Sequence, residues 1–283
     1  MRWQGRRGSS NIEDRRRKPM RGGAGGLGIT GLLIVLALGY FFGVDVTPLL
    51  QGQGGAPSRQ GTVELTEADQ RAGQFVSVTL ADTEEIWADI FRRQVGRPYE
   101  PATLVLFNSV TSSPCGNASG ATGPFYCPAD EKVYLDTNFF TTLERQMGAG
   151  GDFAAAYVVA HEVAHHVQQE LGILGKANQV RRQVNQAQSN EISVRIELQA
   201  DCYSGVWARQ AQARFGSLER GDIAEAMNAA KRIGDDALQR SAGRVPQPHT
   251  FTHGTSEQRQ RWFATGYETG NVEACDTFGT NRL

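Results

Sequence analysis

The chain has 283 residues, 40% of them hydrophobic and 21% charged, with a formal net charge of −1. That length can bury a sizeable core in one or two domains. Gly at 33 and Pro at 10 exclude a collagen-like or wholly disordered chain, and the balanced charge excludes a protein whose whole surface grips nucleic acid.

The balance conceals a split. Residues 1–21 hold Arg2, Arg6, Arg7, Arg15, Arg16, Arg17, Lys18 and Arg21 against Glu13 and Asp14, a net of +6, which leaves −7 for the remainder. From Gly22 to Val44, 23 positions, no residue is charged, and Leu27 to Phe42 (LGITGLLIVLALGYFF) is almost wholly apolar. As a helix that run reaches roughly 34 Å, enough for roughly 30 Å of bilayer hydrocarbon. Tyr40, Phe41 and Phe42 suit the far interface, and the GVDVTPLL that follows shows no A-x-A cleavage pattern. Residues 22–46 are therefore expected to be an uncleaved transmembrane helix rather than a signal peptide. The positive-inside rule then leaves residues 1–21 as a basic cytoplasmic tail and sends the rest to the periplasm or cell envelope. Gly52–Gly61 (GQGGAPSRQG) cannot bury a core, so 47–61 reads as a flexible linker. Residues 62–283 read as one domain without internal repeats.

Within that domain, Asp82-x-x-Glu85 forms a capping box ahead of IWADIFRRQVG, predicting a helix that ends near Gly96. Thr103–Phe107 and Lys132–Thr137 are β-rich runs bounded by turn residues. Asp152 is expected to cap a long helix, FAAAYVVAHEVAHHVQQEL, ended by Gly172, with Phe153, Ala156, Tyr157, Ala160, Ala164, Val167 and Leu171 on one face. Further helices are expected from about Asn190 to Phe215, from Asp222 to about Arg240, and from Thr255 or Ser256 onward, the last carrying Arg259, Trp262 and Phe263. Few strands and several helices define a mainly helical α+β domain with a small sheet.

The four cysteines, Cys115, Cys127, Cys202 and Cys275, form no C-x-x-C pair and match no structural zinc spacing. In an oxidising compartment an even number suggests disulfides, with three pairings possible. The Gly-rich loop between Cys115 and Cys127 suits a local bridge, which leaves Cys202 for Cys275. Free buried thiols are the bland alternative.

The chemistry lies in His161-Glu162-Val163-Ala164-His165. Two His four apart project from one side of a helix and can converge on one ion, while Glu162 can reach a water there without being a ligand. Zinc needs a third protein ligand and one open position. Glu197-Leu-Gln-Ala-Asp201 follows on the next helix. Glu197 supplies the carboxylate, and Asp201, one turn on, can accept the N–H of a ligating His. The longer H-E-x-x-H-x-x-G-x-x-H pattern fails at Gln168 and Leu171. His166 is turned away from the ligand face and reads as packing or surface.

The chain resembles the bacterial "putative neutral zinc metallopeptidase" family over nearly its full length. The likeness rests on RWQGRRGSSNIEDRR, YCPADEKVYLD, AYVVAHEVAHHVQ, IELQADCYSGVWA and FTHGTSEQRQRWF. It implies a membrane anchor, an exported zincin-like domain, one Zn2+ per chain at His161, His165 and Glu197, and Glu162 as catalytic base. A zincin of this kind commonly places a His or Tyr beside the scissile carbonyl. His253 in FTHGTSEQR is the candidate, with Tyr203 and His249 as weaker substitutes.

The expected reaction is peptide hydrolysis, with a zinc-activated water deprotonated by Glu162 and a peptide or protein as substrate. The strand at Val133–Asp136 is a candidate sheet edge for an extended substrate. A catalytically idle zincin domain serving as an envelope binding module, or a hydrolase of non-peptide amides, are the competing readings. Neither the linker nor any aromatic interleaving suggests nucleic acid as a partner.

Overall fold

A computed structural model of the chain describes residues 1–17, 64–119 and 123–283. The expected anchor at 22–46 and linker at 47–61 lie outside the described residues. Among the described residues no helix is long and apolar enough to cross a membrane.

The first long helix, α1 (Glu67–Ile90), begins at Thr66. The Thr66 hydroxyl accepts from the Asp69 N–H, and the Asp69 carboxylate accepts from the Thr66 N–H. This box satisfies two of the four orphan donors at the helix start. The helix thus starts well before the expected Asp82. Asp82 instead lies buried inside it, against Arg6 from the N-terminal segment. A π-helical turn, Phe91–Val95, ends at Gly96 with φ +78°, the predicted stop.

The strands are β1 (Ile12–Asp14), β2 (Thr103–Phe107), β3 (Val110–Ser113), β4 (Gly116–Ser119), β5 (Phe125–Cys127) and β6 (Lys132–Asp136). One four-stranded sheet runs in the order β1-β2-β6-β5, and β3 and β4 form a separate hairpin. β1 and β6 both pair parallel to β2, and β5 pairs antiparallel to β6. The expectation that Val133–Asp136 is an edge is therefore corrected. That strand is bonded on both sides, its residues are buried as an inner strand requires, and β5 is the terminal strand.

Residues 1–16 are part of the domain. Met1–Arg16 and Leu65–Leu283 form one compact unit. Trp3, 2% exposed, packs edge-on against Phe75 and donates its indole N–H to Asp152 Oδ2 at 2.9 Å. Arg6 grips Asp82 through two bonds of 2.6 and 2.7 Å. Ile12, Glu13 and Asp14 stand opposite Leu104, Val105 and Leu106. Arg16 donates to both Asp14 oxygens and to the Asp69 carbonyl. A Cβ at Gly73 would lie 2.4 Å from its Nη2, so any larger residue there would push the Arg16 guanidinium aside. The expected basic cytoplasmic tail is corrected for these residues. Its Arg side chains are spent on intramolecular bonds, and no bilayer can pass between two hydrogen-bonded strands. N-terminal segment and domain therefore share one side of any membrane.

The helices that follow are α2 (Asn138–Arg145), α3 (Asp152–Glu170), α4 (Ile173–Arg181), α5 (Gln186–Phe215), α6 (Asp222–Arg232), α7 (Asp235–Ser241) and α8 (Ser256–Thr269). The expected helix from Asp222 to Arg240 is broken in two. Gly234, extended at ψ 142°, comes so close to Ser256 that a Cβ would lie 2.5 Å from its backbone nitrogen. α3 begins at Asp152, but Gly151 rather than the expected Asp152 is its cap, and the Phe153 N–H, without a partner inside the helix, is taken by Glu225 of α6 at 3.0 Å. α5 starts four residues earlier than expected, on an Asn185–Gln188 capping box.

α3, α5 and α8 form the centre of the molecule. The buried rings of Phe153, Tyr157, Trp207 and Phe263 sit between them. α5 and α8 come together through Gly205 and Gly266. A Cβ on Gly205 would lie 2.0 Å from the Phe263 carbonyl, and one on Gly266 1.8 Å from the Cys202 carbonyl. Such backbone contact brings the face of α8 that carries Arg259 onto α5. Both disulfides form as expected: Cys115–Cys127 ties the hairpin to β5, and Cys202–Cys275 ties α5 to the C-terminal segment.

Candidate metal centre

α3 carries His161 and His165 one turn apart, and α5 crosses it with Glu197 facing them. The donor atoms of these three residues all lie within 4.8 Å of one another. His161 Nε2 is 3.1 Å from Glu197 Oε2, and His165 Nε2 is 3.6 Å from Glu197 Oε1. Ligands held about 2.1 Å from a tetrahedral zinc stand about 3.4 Å apart, so these spacings bracket what the ion needs. Two imidazoles and one carboxylate are also the donor chemistry of a three-ligand zinc site. The residues fit the metal.

Each histidine is fixed from behind, and by different groups. His161 Nδ1 lies 2.9 Å from Asp201 Oδ1, as expected from the Glu197-x-x-x-Asp201 spacing. His165 Nδ1 lies 2.9 Å from Gln168 Oε1, and Gln168 in turn donates to the Ile196 carbonyl and to Gln199 Oε1. Both contacts leave Nε2 of each ring turned toward the Glu197 carboxylate, where the three donors converge. Asp201 is itself completely buried. Arg259 of α8 meets it with two bonds, Nε to Oδ2 at 2.9 Å and Nη2 to Oδ1 at 3.0 Å, and the Tyr157 hydroxyl donates to it as well. A buried carboxylate without such partners would take a proton. Burial acts to raise the Asp201 pKa, but Arg259 and His161 outweigh it and hold the group ionised. Burial also disfavours the His161 imidazolium, yet Asp201 and Glu197 push it up to about 10 without an ion. A metal must displace that proton.

Glu162 lies beside this set, 8% exposed, on the wall of the same cleft. Burial raises its pKa, with His165 and His161 opposing. A carboxylate so raised is the better proton acceptor. His253 lies on the same cleft, its side chain 47% exposed. Its ring Nδ1 is 3.2 Å from Asp235 Oδ1, while Asp235 Oδ2 accepts the backbone N–H of Thr252, His253 and Gly254. The loop is wrapped on one carboxylate, leaving Nε2 as the nitrogen available to the cleft. The hydrogen bond that the His253 ring donates to Asp235 raises the His253 pKa.

The alternatives fall elsewhere. Tyr203 is buried against Trp87, and His249 is exposed outside the cleft lining. His166 is packing, as expected: 2% exposed, between Tyr99 and Tyr126, with Nε2 2.7 Å from the Glu100 carbonyl. Cys202 is held in its disulfide. Sequence reasoning missed the roles of Arg259, Tyr157, Gln168 and Asp235. The signal for Arg259 was present, since a charged residue shared the buried stripe of α8 with Trp262 and Phe263.

An H-E-x-x-H helix crossed by a glutamate-bearing helix, with a carboxylate behind the first histidine, is a site that could hold a metal ion. The chain belongs to the family described as "Putative neutral zinc metallopeptidase", which matches it over residues 1–278, a span that includes the segment carrying β1. It is 47% identical to "Uncharacterized protein YpfJ" of Escherichia coli K12 over 99% of each chain. It is 41% identical to "Uncharacterized protein Rv2575" of Mycobacterium tuberculosis over 75% of this chain and 74% of that protein. No solved structure matches the chain.

Proposed function

We propose that the chain is a zinc-dependent peptidase using Glu162 as general base, working outside the cytoplasm and associated with a membrane through the uncharged run at 22–46 in a way that keeps residues 1–16 and 65–283 on the same side. His161, His165 and Glu197 would hold the zinc. The observation that carries the reading is Glu162: a buried carboxylate without an ion-pair partner among the described residues, beside three convergent donors in an open cleft. A site meant only to hold metal, or only to bind, has no use for it.

Zinc bound there supplies Lewis acidity, polarising a substrate carbonyl and making water acidic enough to ionise near neutral pH. Glu162 takes the proton of the attacking water and delivers it to the departing amine. His253, held by Asp235, donates a hydrogen bond to the oxygen that gains charge. Asp201 and Gln168 keep both ligating rings in place. An extended peptide can lie along β5, whose Phe125 and Tyr126 line the cleft. The two disulfides support a compartment more oxidising than the cytoplasm.

The full-length chain is expected to carry about one zinc, lost in Glu197→Ala. Glu162→Gln is expected to keep the zinc and lose peptide turnover by about 10²–10⁴-fold. Peptide profiles from a mixed library that match between wild type and Glu162→Gln would instead favour the binding module or another amide as substrate. His253→Ala is expected to keep the zinc and lose about 100-fold or more in turnover, read as kcat on any peptide the wild type cleaves. Unchanged kcat removes His253 from the mechanism.

A further inference from the structure

Two arginines line the cleft, and their charges are treated differently. Arg259 is neutralised by Asp201. Arg181, the last residue of α4 and half-buried on the cleft wall, is not. Its Nε donates to Ser189 Oγ of α5 at 3.3 Å and its Nη1 to Asn178 Oδ1 at 3.2 Å. Both acceptors are neutral, and among the described residues no Asp or Glu forms an ion pair with it. A guanidinium stays charged at any working pH and presents five N–H donors in one plane. Two are used to fix the head in place, and the residue lines the cleft with N–H donors left over for an anion. Long flexible cations on a surface are normally left free to move in water, because ordering them costs side-chain entropy. Here the two helices supply that order in advance.

We propose that Arg181 is a specificity-determining residue that binds a carboxylate of the peptide substrate. The preferred substrates then carry either an acidic side chain or their own C-terminal carboxylate close to the bond that is cut. The fork geometry favours a planar carboxylate, which can accept two parallel N–H bonds. Leu174, Phe139 and Met147 on the same cleft give the neighbouring substrate side chains an apolar surface. The inference rests on the peptidase reading, and its test is arranged so that the two can fail separately.

The test uses the full chain bearing Glu162→Gln, loaded with zinc, and fluorescent peptides in matched pairs. One pair set exchanges Glu for Gln at each position. The other exchanges a free C-terminus for its amide. The carboxylate member of one set is expected to bind about tenfold more tightly or better, by anisotropy. Adding Arg181→Met should abolish the difference, and Arg181→Lys should restore part of it, because the charge returns without the fork. The set that discriminates identifies the source of the carboxylate. With wild-type chain, the same pairs should differ in kcat/KM in the same sense. Equal behaviour of all pairs, including failure of both members to bind, overturns the proposal, as does discrimination that survives Arg181→Met. Carboxylate discrimination in binding, with no cleavage by the zinc-loaded wild type, would leave Arg181 in its role and count against the peptidase reading alone.

Discussion

A chain lacking residues 2–16 is expected to lose about 5 kcal/mol or more of folding stability, a large part of the roughly 5–15 kcal/mol available to a domain. Three losses combine. Truncating a buried Trp such as Trp3 costs about 3–5 kcal/mol through lost transfer energy and the cavity left behind. Without Arg6, Asp82 stays buried in α1 with its cation gone. Burial already pushes its pKa up to about 6 against the pull of Arg6, and an uncompensated group costs further. Without β1, the edge of β2 loses its partner, and Asp152 at the start of the metal-bearing helix loses the indole N–H of Trp3. The measurement is urea unfolding of the full chain and the deletion variant side by side. A midpoint shift within error would show these contacts to be ornamental. Trp3→Ala alone should reproduce more than half of the effect.

The second large effect is expected at Arg259. Arg259→Met leaves Asp201 completely buried and negatively charged, facing only Tyr157 and His161. Removing one partner of such a pair costs about 3–5 kcal/mol, most of it the penalty of the stranded charge. The same variant should weaken zinc binding by about 10–100-fold, because Asp201 then no longer holds His161 in one orientation. Chelator competition reads the second effect, and denaturation the first. Combining Arg259→Met with Asp201→Asn should recover part of the stability by removing the stranded charge, and none of the zinc affinity, because the carboxylate behind His161 is still missing. Recovery of both together would place Arg259 outside the support of the metal site.

The parts of this site that could be read in the sequence are those set by one helix at a time. His161 and His165 share a face because they are one turn apart, with Glu162 beside them, and Glu197 and Asp201 share one for the same reason. The helix period fixes both relations without any knowledge of packing. That the two helices cross at those residues followed from the chemistry zinc demands, not from any pattern in the chain. Arg259 and Asp235 had no such rule to expose them. Their partners lie 58 and 18 residues away, and only the glycine-mediated contact of α5 with α8 and the break at Gly234 bring them together. The order of strands was hidden for the same reason. Nothing in KVYLD says whether it has one neighbour or two, and its second neighbour, β5, is three residues long. The basic N-terminus misled because charge was counted before its partners were known: Glu13, Asp14 and Asp82 take up Arg15, Arg16 and Arg6.

The N-terminal strand also constrains how the protein is made. Residues 1–16 leave the ribosome before the segments they bind, so β1 must wait for β2 at 103–107, Trp3 for Asp152, and the Arg2 amide for the Ser217 carbonyl at 2.8 Å. The nascent segment therefore has no folded state of its own until more than two thirds of the chain has been synthesised. If the finished domain resides across a membrane, residues 1–16 must be translocated along with it, and an insertion route that retains them behind would deliver a body missing the strand at the edge of its sheet.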